Sequence, residues 1–317
     1  MSCLQTIRLA TRGSALALAQ ARRVAGLLAA HTPALRVELV TIRTLPDRHP
    51  HTPLHAFGDK GVFVREVEEA VVAGRADAAV HSLKDLPAEL TPGFEIAAIP
   101  ERLSPADLLI SAWEEANIDT LPSAARIATS SLRRRGQLLH YRPDVQVVEM
   151  RGNVDTRLRK LLDGEADALI LAKAGLERLE AIPMNARELP PELMLPAACQ
   201  GAIAIEVLAE SPWLPLLSQL DDSSARLACE TERAFVRAIG ADCRTPVACL
   251  CVVGESTVRL HAAVCTPDGA RLLRFEREAP CEAASELARE AAKSMLACGA
   301  RAIMDQARSA PPTGGIS

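Results

Sequence analysis

An apolar stretch near residue 80 ends in side chains that can do chemistry. The apolar residues 78–80 are followed within five positions by Ser82, Lys84 and Asp85, and then by Pro87. Strands that carry polar groups at their carboxyl ends commonly open into a ligand-binding crevice. A lysine beside an aspartate can take part in acid–base chemistry or form ion pairs with a ligand. The alternative is an ordinary helix start, with Asp85 near the N-cap and Lys84 in solvent.

Arginines form a second group of candidate ligand-binding residues. They follow predicted strand ends or lie in the next helix, at Arg12, Arg133, Arg134, Arg151 and Arg157. Guanidinium groups bind carboxylates and phosphates in a planar, two-pronged geometry. Because the whole chain has a net charge of −4, this concentration of positive charge is local. It predicts a ligand with several carboxylates or phosphates, whereas the alternative is a set of solvated helix arginines.

Cys243 is the thiol most suited to covalent chemistry. It lies in a polar loop between a predicted helix and a predicted strand, with Arg244 beside it, a setting that favours a thiolate. A cysteine hydrolase would also need a histidine partner, and His261 lies on a predicted strand. The nine cysteines show no framework spacing, so we expect a reducing, cytoplasmic environment.

An internal repeat predicts the elements that position these groups. GRADAAV at 74–80 recurs as GEADALI at 164–170, and RLATRGS at 8–14 recurs as RIATSSL at 126–132. In both copies a strand leads through a small polar turn into a helix, whose free N–H groups favour anions. We therefore predict an α/β fold with two similar lobes of the periplasmic-binding-protein type around a cleft. An insertion at 44–60, rich in Pro and His, is interpreted as a lid.

The pattern changes after residue 199. A strand returns to the first lobe, and then a helix, three strands and one long helix at about 282–306 predict a smaller α+β C-terminal domain. The predicted domains are 1–101 with 200–219 (lobe 1), 102–199 (lobe 2), 220–309 (C-terminal domain) and 310–317 (tail). No apolar run has transmembrane length, and the negative net charge argues against a nucleic-acid partner.

Taken together, these segments resemble the porphobilinogen deaminase (hydroxymethylbilane synthase) family. The resemblance covers about residues 7–250 and becomes weaker after that. The matching segments occur in the family's order: ATRGSALALAQ at 10–20, GDKGVFVREVE at 58–68, ADAAVHSLKDLP at 76–87, ATSSLRRR at 128–135, RGNVDTRL at 151–158, LAKAGLERL at 171–179 and LPAACQGAIAIE at 195–206.

The resemblance implies a transferase of tetrapyrrole (haem and chlorophyll) biosynthesis. Such an enzyme condenses four porphobilinogen molecules head to tail, with loss of ammonia, into hydroxymethylbilane. It implies a dipyrromethane cofactor attached through Cys243, and Asp85 as the catalytic carboxylate that stabilises the cation formed when the amine leaves. The implied cofactor contacts are Lys60, Ser82, Lys84, Thr129, Ser131, Arg133, Arg134 and Gly152. The implied substrate contacts are Arg12, Ser14, Arg151, Arg157, Arg178 and Gln200.

The chain departs from the family's pattern in four places. Thr44-Leu45-Pro46-Asp47 stands where a glycine usually precedes the aspartate, and Asp59, Cys199 and Asp242 stand where glycine is usual. We expect Asp242 to disfavour the Cys243 thiolate by charge repulsion and to slow cofactor loading. The alternative function is a non-catalytic two-lobed binding protein for a polycarboxylate, which would need neither Asp85 nor Cys243. We expect a monomer that acts on the small molecule porphobilinogen, with no metal, nucleic-acid or membrane partner.

Overall fold

The computed structural model describes residues 5–45, 63–113, 116–242 and 244–309. Its contacts divide the chain into two compact units. Unit 1 comprises Met1–Leu103 with Gly201–Arg226, and unit 2 comprises Ser104–Gln200 with Leu227–Ser317. Unit 2 therefore contains the predicted second lobe together with most of the predicted C-terminal domain. The division into three domains stays a prediction.

Unit 1 is built on a five-stranded sheet. With strands numbered along the whole chain, its members are β1 (Thr6–Arg12), β2 (Arg36–Ile42), β3 (Ala78–Ser82), β4 (Phe94–Ala98) and β10 (Ile203–Leu208). Their order is β2-β1-β3-β10-β4. Strand β1 pairs in parallel with β2 and β3, whereas β10 pairs antiparallel with β3 and β4. The predicted return of the chain to the first lobe after residue 199 is thereby confirmed.

Helices cover both faces of this sheet. They are α1 (Ala15–His31), α2 (Arg65–Val72) and, after β10, the short α6 (Leu214–Leu217). Helix α1 buries Val24 and Leu28 in the same apolar cluster as Ile7 and Leu9 of β1. Helix α2 buries its own apolar stripe with Ala10 and Ala79 on the other face. A sheet covered on both faces explains why β3 reads as a nearly continuous apolar run.

Unit 2 repeats this architecture with different strands. Its members are β5 (Asp107–Ser111), β6 (Arg126–Ala128), β7 (Gln146–Val148), β8 (Ala168–Ala172) and β9 (Ala186–Leu189), with helices α3 (Leu132–Tyr141), α4 (Val154–Leu162) and α5 (Lys173–Arg178). The strand order is β7-β6-β8-β5-β9, and β5 is the antiparallel member. The prediction of two similar α/β lobes is confirmed.

The repeated sequence motifs correspond to a repeated ion pair. In unit 1, Arg8 donates through its backbone N to Asp77 at 2.7 Å and through Nη2 at 2.8 Å. In unit 2, Arg126 makes the same two contacts with Asp167, at 2.7 and 2.9 Å. Each contact joins a strand, β1 or β6, to the turn before its parallel neighbour, β3 or β8, so the repeat marks equivalent positions.

The rest of unit 2 is a three-stranded antiparallel meander packed against helices. The strands are β11 (Val247–Val253), β12 (Thr257–Cys265) and β13 (Leu272–Pro280), and the helices are α7 (Ser223–Ile239), α8 (Ala284–Ala297) and α9 (Ala300–Ser309). The prediction of one long final helix is wrong, because Gly299 takes a left-handed φ of 94° and separates α8 from α9. Among the described residues, no helix has the length and apolarity needed to span a membrane.

Candidate active site

The polar end of β3 is a strand end followed by a tight turn. Residues Leu83–Asp85 form a single 3₁₀ turn without a side-chain cap. Leu83 and Leu86 are buried, whereas Lys84 and Asp85 between them are exposed. The two leucines therefore fix the turn to the core and direct the charged side chains to solvent. Ser82 is held from the α1 side, where Gln20 Nε2 donates to its Oγ at 2.7 Å.

A buried acid–base cluster lies on the opposite side of β3. His81 Nε2 lies 3.2 Å from Glu206 Oε2 of β10, and both side chains are almost fully buried. Glu68 of α2 accepts a hydrogen bond from Thr91 Oγ1 at 2.8 Å. Burial raises the pKa of Glu68, the Thr91 bond opposes this shift, and the negative charge of Glu206 adds to it. Unit 1 thus buries two acidic side chains and one histidine in its core.

The first polar turn of unit 1 contains Arg12 and Ser14. The Arg12 guanidinium stacks on the Phe63 ring, with Cζ 4.0 Å from the ring centre, a geometry that keeps the charge in place. Ser14 is the N-cap of α1, and its Oγ accepts from Ala17 N at 3.3 Å. The sequence prediction of a helix start after this turn is confirmed.

The matching turn of unit 2 contains Thr129 and Ser131. Ser131 is the N-cap of α3, and its Oγ accepts from Arg134 N at 3.4 Å. Thr129 Oγ1 accepts from Ser131 N at 3.2 Å. The two hydroxyls therefore shape the turn that brings Arg133 and Arg134 into the first turn of α3.

Both arginines bind one buried carboxylate that sequence reasoning missed. Asp107, at the start of β5, accepts from Arg133 Nη2 at 2.8 Å and from Arg134 Nη2 at 2.7 Å. Gln200 Nε2 donates to the same carboxylate at 2.8 Å. Burial alone would raise the pKa of Asp107, but the charges of the two arginines outweigh it and hold the pKa below its ordinary value. The only signal in the sequence is an acidic residue that opens an apolar strand.

The two arginines differ in their remaining contacts. Arg133 Nη1 donates to Leu195 O at 2.7 Å, and Arg134 Nη1 donates to Ile170 O at 3.1 Å. Arg134 Nε, although buried, has no acceptor among the residues that the structure describes. Arg134 Nε is therefore an unused buried donor.

Arg157 of α4 presents a second buried donor without an acceptor. Its Nε has no hydrogen-bond partner in the described part of the chain. Burial lowers the pKa of Arg157 to about 10, and the positive charge of Arg134 lowers it further in the same direction. Two neighbouring cations that each keep an unused buried donor create a strong demand for an anion.

The other predicted contacts of unit 2 lie nearby in the chain. Arg151 Nε donates to Glu149 at 2.8 Å, so its charge is already compensated in part. Gly152 has a φ of 118°, and a Cβ there would lie 2.7 Å from Thr156 Cγ2, so only glycine fits before α4. Arg178 occupies the last turn of α5. Gln200 is buried and also donates to Pro105 O at 2.6 Å, which indicates that it holds the start of β5.

Lys60, Cys243 and Asp59 lie outside the described residues, as do residues 46–60 of the predicted lid. The residues on either side of Cys243 are described. Asp242 accepts from Arg308 Nε at 2.9 Å and from Arg244 N at 2.9 Å. Its negative charge is thus compensated by Arg308 of α9, which weakens the repulsion expected from this departure.

Cys199, the third departure, has a left-handed φ of 59°, the conformation that glycine adopts without strain. Its backbone N donates to Glu232 of α7, and Glu232 also accepts from Cys251 N at 2.8 Å. The buried carboxylate therefore holds the cysteine in place.

These features define a class of protein. It is an α/β protein whose first unit carries an exposed carboxylate after a strand end and whose second unit carries buried guanidinium donors without acceptors among the described residues. A family model for the porphobilinogen deaminase cofactor-binding domain matches residues 7–214, and one for the C-terminal domain of the same family matches residues 226–297.

Curated relatives agree with both family models. The porphobilinogen deaminase of Syntrophomonas wolfei is 43% identical over 96% of this chain and 100% of its own length. That of Rubrobacter xylanophilus is 45% identical over 96% of this chain and 98% of its own length. Among solved structures, the methionine-binding protein MetQ matches 71% of this chain and 91% of its own, with a TM-score of 0.41 and 12% identity.

The chain belongs to the porphobilinogen deaminase family. It is accordingly an enzyme of tetrapyrrole biosynthesis that converts four porphobilinogen molecules into hydroxymethylbilane, and it uses a dipyrromethane cofactor. The residues fit this cofactor, because its carboxylate side chains match the unused buried donors of Arg134 and Arg157.

Proposed function

We propose that the β3 strand end supplies the reaction centre and that the unit 2 arginines hold the carboxylates of the cofactor and the growing chain. The observation that carries this proposal is the surplus of positive charge around Asp107. One carboxylate faces Arg133 and Arg134, and Arg157 adds a third cation. A buried surplus of this kind is stable only when an anion completes it.

Asp85 is the catalytic carboxylate in this proposal. It is exposed on a turn that two buried leucines fix in place. As ammonia leaves the substrate, positive charge develops on the pyrrole, and an oriented carboxylate stabilises that charge most strongly in the transition state. Lys84 and Ser82 stand beside it and position the ring substituents. The bound dipyrromethane supplies the pyrrole end to which the first substrate is joined.

The remaining arginines and hydroxyls bind the side chains of the substrate. Each pyrrole brings two carboxylates, so a growing chain needs many donors but only one reaction centre. The proposed substrate contacts are Arg12, Ser14, Arg151, Arg157, Arg178 and Gln200. The proposed cofactor contacts, besides Arg133 and Arg134, are Thr129, Ser131, Gly152, Lys60, Ser82 and Lys84, with the covalent bond at Cys243.

We also infer a monomeric enzyme of the cytoplasm. The described cysteines are all free thiols, which suits a reducing compartment. Each unit has its own buried apolar clusters, so neither needs a second copy to complete its core.

Intact-protein mass spectrometry tests the attachment. The purified chain should carry the mass of two pyrroles, and Cys243→Ser should lose both the adduct and turnover of porphobilinogen. Cys249→Ser is the matched control, because Cys249 is a buried strand cysteine, and it should keep the adduct. An adduct on a peptide that contains Cys199 or Cys249 would overturn the assignment of Cys243.

A further inference from the structure

Asp107 occupies an unusual electrostatic position. Its side chain is fully buried, and it accepts from two guanidinium groups and one amide. A single negative charge can balance only one of the two arginines. Such an arrangement is costly as a purely structural ion pair, since burying a second charge without a partner is unfavourable.

The two arginines differ in which of their guanidinium nitrogens have protein acceptors. Both terminal nitrogens of Arg133 donate to groups of the protein, Asp107 and Leu195 O. Arg134 uses its terminal nitrogens in the same way but keeps a buried Nε without an acceptor among the described residues. Both arginines therefore share the charge of Asp107, and Arg134 differs in keeping one further buried donor without an acceptor among the described residues.

Gln200 and Gln137 hold the acceptors of these contacts in place. Gln200 Nε2 donates to both Pro105 O and the Asp107 carboxylate, so the start of β5 is fixed. Gln137 donates to Leu195 O at 3.0 Å and accepts from Leu195 N at 2.9 Å, so the second acceptor of Arg133 is fixed as well. A guanidinium that binds fixed acceptors loses little freedom when a ligand arrives.

We propose that Asp107 is a positioning residue that orients the Arg134 guanidinium so that its Nε edge, together with Arg157 Nε, receives one carboxylate of a pyrrole. Asp107 does not touch the ligand and acts through Arg134. This proposal rests on the proposed function, because it assigns the ligand of the same arginines.

Substitutions at Asp107 separate a positioning role from a purely structural one. Asp107→Glu keeps the charge but displaces both guanidinium groups by about one methylene, and Asp107→Asn keeps the shape but removes the charge. If the residue positions Arg134, variants that fold with wild-type melting behaviour should raise the KM for porphobilinogen about tenfold with little change in kcat. They should also load the cofactor more slowly, as the two-pyrrole adduct measured by intact mass.

A double-mutant cycle tests whether Asp107 affects KM through Arg134. In an Arg134→Leu background the Asp107→Glu change should add less than about twofold to KM, because its effect passes through the missing arginine. The matched control is Asp167→Glu, which perturbs another aspartate–arginine pair of unit 2, with Arg126, and should leave KM unchanged.

Three results would overturn the proposal. They are a wild-type KM in folded Asp107 variants, full additivity with Arg134→Leu, and failure of both Asp107 variants to fold, which would assign the residue to folding alone. Absence of porphobilinogen turnover in the wild-type chain would instead reject the proposed function.

Discussion

The two lobes share a scaffold but contain different chemistry. The repeat spacing of 164 − 74 = 90 places Gly175 of unit 2 at the position of Asp85 in unit 1. After β3 the chain makes a short turn that exposes Lys84 and Asp85, whereas after β8 it continues into helix α5 with Ala174 and Gly175 buried. The first strand end therefore presents an exposed Lys84–Asp85 pair, whereas the lysine after the second strand end, Lys173, is paired with Glu188 at 2.7 Å.

The helix starts show the opposite distribution of charge. Ser14 and Ser131 cap equivalent helices, but Ala15–Leu16–Ala17 follows the first cap and Leu132–Arg133–Arg134 follows the second. The buried acid of the antiparallel strand differs accordingly, because Glu206 faces His81 and Asp107 faces two arginines. The exposed Lys84–Asp85 turn thus belongs to unit 1, whereas the two buried arginines that share one carboxylate belong to unit 2.

The sharpest test of this comparison is the charge of Asp85. Asp85→Asn keeps the shape of the side chain but removes the charge that stabilises the cation. We expect kcat to fall by about 10² or more, a loss of roughly 3 kcal/mol. Asp85→Glu keeps the charge and should retain more activity. Single-turnover kinetics of both variants with intact cofactor measure the chemical step.

Glu89→Gln is the control for Asp85, because it removes another exposed carboxylate of the same segment, and it should behave as wild type. If the Asn variant matched wild type, or outperformed the Glu variant, Asp85 would not be the charge stabiliser and the reaction centre would have to lie elsewhere.

The second test separates the unit 2 arginines by their existing partners. Arg157 keeps an unused buried donor, whereas Arg151 already binds Glu149. A charge-assisted contact contributes roughly 1.5–3 kcal/mol, so Arg157→Leu should weaken pyrrole binding about ten- to a hundredfold. Arg151→Leu should weaken it less. Equal effects of the two substitutions on KM would contradict this ranking.

Arg157→Leu should also change stability, in a direction that depends on the cofactor. Burial lowers the pKa of Arg157, so its charged form costs stability in the cofactor-free protein. The melting temperature of the cofactor-free protein should therefore be higher in Arg157→Leu than in wild type. Cofactor loading should raise the melting temperature of the variant by less than it raises that of wild type. An unchanged gain on loading would remove Arg157 from the cofactor site.

Much of the fold could be predicted because the repeat consists of short sequence motifs at strand ends and helix starts. The motifs at residues 74 and 164 and the helix starts after Ser14 and Ser131 lie where they were predicted. The break at Gly299 was missed because a single glycine inside an amphipathic pattern is often tolerated within a helix. The strand at 203–208 was assigned to the first lobe from its position after a small-residue turn, and the sheet order confirms it.

The candidate site was less accessible to sequence reasoning. Arginines at strand ends were visible as a group, but their partners lie far away in the chain, as with Asp107 and Arg134. No local sequence pattern distinguishes an arginine that pairs with a buried carboxylate from one that keeps a buried donor without a protein acceptor among the described residues. That difference depends on long-range packing, and it is what separates Arg133 from Arg157.

The last test uses the two buried acids, which respond to pH in opposite directions. The pKa of Asp107 is held below its ordinary value, since its arginines outweigh the effect of burial. Its stabilising contribution is therefore complete above the unfolded pKa, at about pH 4, and is lost as pH falls below that. The pKa of Glu68 is raised by burial. The folded state then binds a proton more readily than the unfolded state, so unit 1 gains stability as pH falls from neutrality towards about pH 4.

We therefore expect acid to loosen unit 2 around β5 and α3 before it loosens unit 1 around β3 and α2. Hydrogen exchange at neutral pH, about pH 4.5 and about pH 3, corrected for intrinsic rates, measures the order of opening. Glu68→Gln should abolish the gain in stability of unit 1 between neutral pH and about pH 4.5, and it should leave the exchange of unit 2 unchanged. We expect this effect to be the smallest of the predicted effects, because the Thr91 hydrogen bond already offsets part of the cost of burying the Glu68 charge. Earlier opening of unit 1 than of unit 2 in acid would contradict this order.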